Sequence, residues 1–317
     1  MIAIKLLKVL INIVYYYYLF KIFYYVVKFI LSIFLKRQYN LLQRYSNKTN
    51  KIPYVVITGG SDGIGKGFAI EFAKLGFNIY LIARTKSKLK SLCDELSKKY
   101  NITAEYLQFD FNNNATSYNY YEDIFSSIFK NKDVSILVNN IGTVIPKLFI
   151  DTSIEDCDKA IKMNICSQVY LTKLFLESNK DDFLKKAIIN LSSMSSDFFI
   201  PYHCVYASCK RFNEYFSTNS SYEFNNKNTK NNIDVLCVKP GGVATPLSQL
   251  EADYFIATTP FKCSSSALKK LGFVISTYGY WLHSIQAFFA SIVPEYLVSY
   301  FGGYVIGKIS QNRTKYD

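Results

Sequence analysis

Short apolar runs alternate with helical segments through the middle of the chain. Six such runs occur between Pro53 and Pro240, and each is followed by a turn or a helical segment. They read YVVIT (54–58), FNIYLIA (77–83), AEYLQFD (104–110), VSILVNN (134–140), KAIINLS (186–192) and IDVLCVKP (233–240). Strand and helix that alternate in this way predict an α/β fold with a doubly wound parallel sheet.

A different pattern occupies the N-terminus. The apolar run VLINIVYYYYLFKIFYYVV (9–27) lies between Lys8 and Lys28, and at about 1.5 Å per residue it approaches the ~30 Å of a bilayer core. Lys21 interrupts it, at a cost of roughly 2.5–3.5 kcal/mol at mid-membrane that snorkelling relieves in part. A helix lying flat on the membrane is disfavoured, since the charges do not gather on one face. A cleavable signal peptide is disfavoured because no small-residue cleavage site follows.

Basic residues are more numerous after this run than before it, so the positive-inside rule predicts a membrane anchor with the main domain in the cytosol. They are Lys36, Arg37, Arg44, Lys48 and Lys51 after it, against Lys5 and Lys8 before it. Near the C-terminus, residues 271–293 and 295–309 are strongly apolar but punctuated by Gly, Pro and His. We expect helices there that dock on the core or enter the membrane. The chain thus divides into an anchor and linker (1–50), a central domain (51–260) and an apolar extension (261–317).

The composition narrows the classes of partner. The 317-residue chain is 50% hydrophobic with a formal net charge of +13, which suits one large α/β domain with extensions. The charge does not indicate nucleic-acid binding, because no finger, basic zipper or aromatic RNA-binding signature is present. An anionic membrane surface or phosphorylated ligands fit better. The seven Cys are scattered and only two His occur, so we predict reduced thiols and no metal site.

A glycine-rich turn follows the first predicted strand. The segment TGGSDGIG (58–65) places glycines in the pattern GxxxGxG where strand gives way to helix. Glycine permits unusual φ angles and lets backbone N–H groups approach a pyrophosphate at a helix N-terminus. The strand–turn–helix context therefore predicts a dinucleotide-binding, Rossmann-type domain. The predicted cofactor contacts in this turn are Thr58, Gly59, Ser61, Asp62, Gly63, Ile64 and Gly65.

Arg84 stands nineteen residues after Gly65, at the end of the second predicted strand. An acidic residue there would hold the ribose 2′-OH of NAD, whereas an Arg accommodates the 2′-phosphate of NADP. We therefore predict NADPH (NADP+) as the cofactor. Lys86 and Lys88 add positive charge nearby, but a solvated helix start explains them equally well.

The segment YASCK (206–210) carries the candidate chemistry. Tyr206 and Lys210 are four residues apart, so on a helix they share one face, and Ser193 lies thirteen residues before Tyr206 at the end of a predicted strand. Most such Tyr–Lys pairs are surface pairs at a helix start. In a chain that can hold a nicotinamide, the same residues suit proton transfer to a carbonyl.

Taken together, these elements resemble the short-chain dehydrogenase/reductase family over about residues 53–245. The matching elements are TGGSDGIG, Asp110, VNNIG (138–142), Asn164 in MNICS, Ser193, YASCK and KPGGVAT (239–245). Ile141 replaces the usual Ala, with no polar group lost. The N-terminal run, the first βα unit and the tail TYGYWLHSIQAFFASIVPEYLV resemble membrane-bound very-long-chain 3-oxoacyl-CoA reductases and their 17β-hydroxysteroid dehydrogenase relatives, which lie on the endoplasmic reticulum. The chain ends RTKYD, without the dilysine retrieval pattern of some of them.

The resemblance implies four catalytic roles. Tyr206 would donate a proton to the carbonyl oxygen, and Ser193 would hydrogen-bond that oxygen where negative charge develops. Lys210 would hold the nicotinamide ribose and, as a cation within about 4–6 Å, lower the pKa of Tyr206. Asn164 would order a water leading to Lys210. Ser192 and Ser195 lie close to Ser193, and only the spacing to Tyr206 selects it; His203 is interpreted as a loop residue.

The resemblance also implies further cofactor contacts, each of which could instead be a plain turn residue. Asn139 and Gly142 would line the cofactor path, and Asp110 would touch the adenine side. The nicotinamide end would meet Pro240, Gly241, Val243 and Thr245.

The function that this resemblance implies is NADPH-dependent reduction of the 3-keto group of long-chain 3-oxoacyl-CoA during fatty-acid elongation, at the endoplasmic reticulum membrane with the catalytic domain facing the cytosol. The same chemistry on a steroid or on 3-ketosphinganine is the alternative, and a catalytically silent membrane scaffold is the alternative from another class. Other elongation enzymes and a second copy of the chain are the protein partners we consider.

Overall fold

The sheet has seven parallel strands, six of which coincide with the predicted apolar runs. The computed structural model describes residues 2–34, 40–46, 51–112, 117–178, 184–225, 232–253 and 256–313. The strands are β1 (Tyr54–Thr58), β2 (Asn78–Ala83), β3 (Ala104–Gln108), β4 (Val134–Asn139), β5 (Lys186–Leu191), β6 (Ile233–Val238), β7 (Gly242–Val243), β8 (Ala257–Thr258) and β9 (Ser276–Thr277). The main sheet has the order β3-β2-β1-β4-β5-β6-β9, and β7 pairs with β8 separately. The predicted doubly wound parallel sheet is confirmed.

The topology creates the crevice in which a ligand can bind. The strand order reverses between β1 and β4, and in open α/β sheets ligands bind outside the carboxyl ends of the strands at such a switch point. The glycine-rich turn follows β1 and the segment VNNIG ends β4. Both motifs therefore lie at this switch point.

Helices cover both faces of the sheet. They are α1 (Ile2–Phe34), α2 (Leu41–Arg44), α3 (Gly63–Lys74), α4 (Lys86–Tyr100), α5 (Tyr118–Asn131), α6 (Ile154–Ile161), α7 (Ser167–Ser178), α8 (Cys204–Phe224), α9 (Pro260–Leu268), α10 (Trp281–Ile292) and α11 (Glu295–Arg313). Alternate residues of β1 serve the two layers: Val55 and Ile57 pack with α3 and α4, and Val56 packs with α5 and α7. Both faces of the inner strands are buried, which explains why these strands read as continuous apolar runs.

The N-terminal helix stands apart from this core. Residues Ile4–Val27 of α1 form a helix long and apolar enough to cross a membrane, with none of that stretch buried. It is the one such helix in the part of the chain that the structure describes. It lies beside α10. Of the basic residues behind the orientation prediction, Lys36, Arg37 and Lys48 lie outside the described residues.

The C-terminal extension docks on the core. His283 and Ala287 of α10 are buried, and α11 lies on the loop that precedes α8. Three glycines make this contact close: a Cβ would come within 3.4 Å of Ile200 at Gly302, within 2.9 Å of Pro201 at Gly303 and within 3.1 Å of Tyr202 at Gly307. Helix α11 also exposes aromatic and apolar side chains, namely Tyr296, Tyr300, Phe301, Tyr304 and Val305.

Candidate active site

The glycine-rich turn is shaped to lie against a dinucleotide. Gly59 and Gly63 have φ angles of 62° and 52°, in the left-handed region that favours glycine. A Cβ at Gly65 would lie 2.3 Å from the carbonyl oxygen of Gly59, so only glycine fits there. Helix α3 begins at Gly63, which puts the positive end of its dipole and its unpaired N–H groups at the turn. Of the other predicted turn contacts, Ser61 is half-buried and Ile64 packs against the core.

The turn is fixed to the end of β4 by Thr58 and Asn140. The Thr58 hydroxyl accepts hydrogen bonds from the backbone N–H of Asn140 (2.9 Å) and of Ile141 (3.0 Å). The Asn140 side-chain amide donates to the carbonyl oxygens of Thr58 (2.9 Å) and Gly59 (3.2 Å). These bonds set the crevice width between the two strands.

The structure does not bring Asn139 to this crevice. Its side chain is 4% exposed and donates to Thr172 (3.0 Å) and to Asn190 (2.9 Å) in the core. The prediction that Asn139 lines the cofactor path is therefore corrected to Asn140, one residue further on. The reason is the alternation of side chains along a strand, which turns neighbouring residues to opposite faces.

Arg84 follows β2 at the same edge of the sheet. The Gly59 N–H donates to the carbonyl oxygen of Ile82 (2.8 Å), so the start of the turn touches the chain two residues before Arg84. Arg84 is exposed, and among the described residues its guanidinium has no carboxylate partner. Lys88, in contrast, pairs with Asp62 at 2.7 Å. Burial opposes ionisation of Asp62, but the hydrogen bonds from Lys88 and the Gly63 N–H lower its pKa overall.

Asp110, which the resemblance predicts to touch the adenine side, follows β3 and is half-buried. Its carboxylate accepts the backbone N–H of Asn112 at 2.9 Å.

Asn164 lies on a π-helical segment, Lys162–Cys166, between α6 and α7. Its amide nitrogen donates to the carbonyl oxygens of Ala160 and Thr143, both at 2.9 Å, and its Oδ1 accepts the Thr143 N–H at 3.3 Å. Single π turns inside α-helices often mark functional sites. Here the wider turn lets Asn164, 1% exposed, point inward and hold the loop after β4.

Gly142 brings Asn164 and Lys210 together. A Cβ at this position would lie 2.6 Å from Asn164 Oδ1 and 3.1 Å from Lys210 Nζ. The buried Lys210 ammonium donates to the carbonyl oxygen of Leu191 (3.0 Å) and lies 5.7 Å from the ring centre of Tyr206.

The Ser193 side chain lies close enough to Tyr206 to lower the pKa of the phenol, against the larger effect of burial. The Ser195 hydroxyl donates to Ser193 Oγ at 2.8 Å, and its backbone N–H does so at 3.2 Å. Ser192 points elsewhere, donating to the carbonyl oxygen of Lys210 at 2.6 Å. The structure thus selects Ser193 from its neighbours as the serine that meets Tyr206. His203, directly before α8, places its ring edge-to-face with Tyr206 at 5.3 Å.

The pKa of Tyr206 is raised, contrary to the expectation that Lys210 lowers it. Burial of the phenol is the main cause, and the Ser193 side chain opposes it only in part. Burial also lowers the pKa of Lys210 to about 8, because a low-dielectric surrounding disfavours the charged form. Tyr206 therefore keeps its proton at neutral pH and can act as a proton donor.

The segment Pro240–Thr245 closes the site from the β6 side. The Pro240 carbonyl oxygen accepts the N–H of Met194, the residue after Ser193, at 2.9 Å. At its other end Thr245 lies against the glycine-rich turn, since a Cβ at Gly63 would come within 3.1 Å of the Thr245 methyl group. Between them, Gly241 lies against His283 of α10 and Val243 is buried. The segment spans the distance from the turn after Ser193 to the glycine-rich turn.

A small cavity adjoins Tyr206 on the side away from the turn. Its lining includes Ile145, Thr152, Ala160 and Val205. The chain from 147 to 156 that borders this cavity exposes apolar side chains: Leu148, Phe149, Ile150 and Ile154. Apolar side chains therefore border the cavity together with the paired Lys147 and Asp156, which also line it.

A crevice at the strand-order reversal, with a phenol, a serine hydroxyl and an ammonium at its mouth, defines a nicotinamide-dependent oxidoreductase. A family model described as short chain dehydrogenase matches residues 53–253, and the chain belongs to this family.

Curated relatives are similar over most of their length. Very-long-chain 3-oxoacyl-CoA reductase of Bos taurus is 33% identical over 250 residues, 77% of this chain and 76% of the relative. The protein of the same name from Homo sapiens is 31% identical over 253 residues, with the same coverage. Hydroxysteroid dehydrogenase-like protein 1 of Gallus gallus is 30% identical over 258 residues, 79% of this chain and 75% of the relative.

Solved structures share the fold. A short-chain dehydrogenase from Sphingobium yanoikuyae in complex with NADPH has a TM-score of 0.62 at 23% identity, covering 69% of this chain and 84% of its own. A 7β-hydroxysteroid dehydrogenase has a TM-score of 0.71 at 21% identity, covering 83% and 99%. At this identity the likeness supports the fold alone.

Proposed function

We propose that this protein uses NADPH to reduce the 3-keto group of long-chain 3-oxoacyl-CoA, as a step of fatty-acid elongation. The observation that carries the proposal is that Ser193, Tyr206 and Lys210 lie together, with the Lys210 ammonium 5.7 Å from the centre of the Tyr206 ring, in a chain whose curated relatives include several named very-long-chain 3-oxoacyl-CoA reductase. When bound, the nicotinamide supplies the hydride. Everything else in the reaction falls to this chain's side chains.

The site residues divide the work of protonation. Ser193 and Tyr206 would both hydrogen-bond the keto oxygen, which stabilises the charge that develops on it. Tyr206 then gives up its proton as the oxygen becomes an alcohol. Because burial holds its pKa high, the phenol gives up its proton only to a stronger base, and the developing alkoxide is one. Lys210, near Tyr206 and beside Asn164, would stabilise the phenolate that remains.

The preference for NADPH rests on Arg84. It is exposed beside the start of the glycine-rich turn and has no carboxylate partner among the described residues, whereas its neighbour Lys88 is engaged by Asp62. A 2′-phosphate at this edge of the sheet would give the guanidinium a charge-assisted partner. A ribose 2′-OH would not.

Membrane attachment is part of the proposal. Helix α1 has the length and apolar character of a membrane span, and it lies beside α10 of the C-terminal extension. The three exposed tyrosines of α11 suit the interface between lipid and water. We place the protein at the endoplasmic reticulum membrane with the site facing the cytosol, where a long acyl chain can pack against the exposed apolar side chains Leu148, Phe149 and Ile150.

A hydroxysteroid is the second candidate substrate, because one curated relative carries the name hydroxysteroid dehydrogenase-like protein 1. Membranes containing the protein should be assayed with 3-oxoacyl-CoA of several chain lengths, a 17-ketosteroid and 3-ketosphinganine, each with NADPH and with NADH. We expect the fastest oxidation of NADPH with a long 3-oxoacyl-CoA. A faster reaction with either other ketone would reassign the substrate.

The Tyr206→Phe variant separates an enzyme from a silent scaffold. We expect it to bind NADPH with unchanged affinity but to lose turnover, because the proton donor alone is removed. A wild type that oxidises NADPH with none of the ketones would support the scaffold.

A further inference from the structure

A cluster of charged side chains surrounds the buried Lys239, in which the two carboxylates are half-buried and Arg211 is exposed. Lys239 is 6% exposed, and its ammonium donates to both carboxylate oxygens of Asp197 (2.8 and 3.0 Å) and to Glu214 (2.6 Å). Arg211 reaches Glu214 at 2.9 Å and Asp197 at 3.6 Å, so two cations balance two carboxylates. The Tyr278 hydroxyl completes the cluster by donating to Asp197 at 2.9 Å.

Each member of the cluster belongs to a segment that carries site residues. Asp197 ends the 3₁₀ turn Met194–Ser196, which Ser193 caps through its hydroxyl. Glu214 lies one helical turn after Lys210 on α8, the helix that also carries Tyr206. Lys239 directly precedes Pro240, whose carbonyl oxygen is bonded to the N–H of Met194. The Lys239 ammonium thus contacts both the 3₁₀ turn after Ser193 and helix α8. Lys239 itself lies between β6 and the segment that begins at Pro240.

Charged side chains are an unusual choice for the interior position that Lys239 occupies. Buried charges are costly to desolvate, and apolar side chains of similar volume often stabilise a protein equally well or better. What charges add is a defined geometry, since the ammonium is satisfied only where both carboxylates reach it. Burial opposes the charge on Lys239, but the two carboxylates overcome it and raise its pKa, while Lys239 and Arg211 lower the pKa of Glu214 against the effect of burial. Lys239 and Glu214 are therefore both charged at neutral pH.

We propose that Lys239 is a positioning residue for the reduction: its ammonium sets the serine turn against α8, so that the hydroxyls of Ser193 and Tyr206 converge on one substrate oxygen. It touches neither substrate nor cofactor and acts through Asp197 and Glu214. The inference rests on the proposed ketone reduction, but not on which ketone is reduced.

The test compares Lys239→Met with Lys186→Met in the full-length protein. Lys186 is an equally buried lysine, 2% exposed, which donates to the carbonyl oxygen of Val134 at 3.2 Å at the far end of β5 from Ser193. We expect both variants to melt at lower temperature. Only Lys239→Met should lose kcat, by about 10- to 100-fold, because small misplacements of reacting groups cost rates of that order. Its dissociation constant for NADPH should stay within about twofold, because the phosphate-binding turn is untouched.

Lys239→Arg provides the rescue. It keeps a cation between the two carboxylates, so it should restore more of kcat than Lys239→Met at equal folded concentration. A Lys239→Met enzyme with the kcat of Lys186→Met, or an Arg variant no better than Met, would overturn the proposal.

Two further measurements keep the test decisive. If Lys239→Met fails to fold, the Lys239→Met/Glu214→Gln double variant removes one charge of each sign; we expect it to bind NADPH and still turn over slowly, and wild-type turnover would contradict the inference. If the wild type reduces none of the ketones, the proposed function fails on its own. Hydrogen exchange of the NADPH complex then decides: Lys239→Met should speed exchange in peptides covering 193–197 and 206–214, and unchanged exchange there would reject the positioning role.

Discussion

Asn164 closes the space above Gly142 so tightly that a single methyl group there would lie 2.6 Å from its Oδ1. Asn164 cannot move aside freely, because both polar atoms of its side chain are held by the backbone of Thr143 and Ala160. The same methyl group would lie 3.1 Å from the ammonium of Lys210. The glycine therefore keeps two predicted catalytic residues in contact with one loop.

Gly142→Ala should lower kcat by about 10- to 100-fold, since Asn164 and Lys210 must both shift to admit the methyl group. The measurement is steady-state kinetics with the best ketone at saturating NADPH. Gly302→Ala on α11 is the matched control, because its Cβ would meet Ile200 at 3.4 Å, an ordinary contact distance. Equal kcat in the two variants would contradict the crowding argument.

Lys210 should impose an alkaline limit on cofactor capture. Its pKa is lowered by burial to about 8 from 10.5, so the folded chain without cofactor loses this positive charge as the pH rises through about 8. We expect kcat/KM for NADPH, measured from about pH 6 to about pH 10, to fall on the alkaline side of that value. Tyr206 cannot be the cause, because its pKa is raised. In Lys210→Arg, which stays charged, the alkaline fall should disappear even if the rate is lower.

The same shift affects stability with a defined sign. Between pH 8 and 10.5 the unfolded chain still binds the Lys210 proton that the folded chain has lost. The contribution of this one group therefore favours folding more as the pH rises through that interval. A comparison of denaturant unfolding for wild type and Lys210→Met across the interval isolates it, and parallel curves would refute the buried, titrating lysine.

Arg84→Asp should reverse the cofactor preference. The carboxylate would repel a 2′-phosphate and accept a hydrogen bond from a ribose 2′-OH, so the ratio of kcat/KM for NADPH over NADH should fall by at least about tenfold, which corresponds to about 1.4 kcal/mol. The control is Lys88→Met, which removes a nearby cation that Asp62 already engages. We expect that variant to keep the preference for NADPH, and an unchanged ratio in Arg84→Asp would remove Arg84 from the site.

His283 should make the protein sensitive to mild acid. Its Nε2 lies 2.9 Å from the carbonyl oxygen of Gly242, and its Nδ1 lies 3.3 Å from that of Tyr278. Burial lowers its pKa below 6.5, although the two backbone contacts work in the opposite direction. The unfolded chain therefore takes up this proton first, and the free energy of unfolding, complete above pH 6.5, should decrease as the pH falls below it. In His283→Asn this part of the pH dependence should be missing from thermal melts.

The sequence was most informative about the central strands and the motifs at their ends. Strands β1, β2, β4, β5 and β6 could be predicted because both of their faces are buried, which leaves long apolar runs. The two-residue strand β9 could not, since Ser276 and Thr277 carry no periodicity and pair only with Cys237 and Val238 at the sheet edge. The C-terminal region read as helix, but nothing in it indicated that it completes the sheet.

Two details of the site could not be predicted from the sequence and required the three-dimensional structure. Asn139 and Asn140 are adjacent and chemically identical, so only the point at which β4 ends decides which of them meets the glycine-rich turn. The direction of the Tyr206 pKa shift depends on burial, and the four-residue spacing to Lys210 reports only the nearby charge. Lys239 likewise stood inside a quoted motif, KPGGVAT, but its carboxylate partners lie 42 and 25 residues away in the chain.

The edge strand β9 and helix α10 come late in the chain, after every residue that we assign to chemistry. The ribosome therefore synthesises the glycine-rich turn and helix α8 well before it synthesises His283, which contacts Gly241 and Gly242. An mRNA with a premature stop codon between positions 246 and 275 would encode every residue that we assign to chemistry but neither Tyr278 nor His283. We expect proteases to degrade this truncated product, so that no smaller active enzyme accumulates.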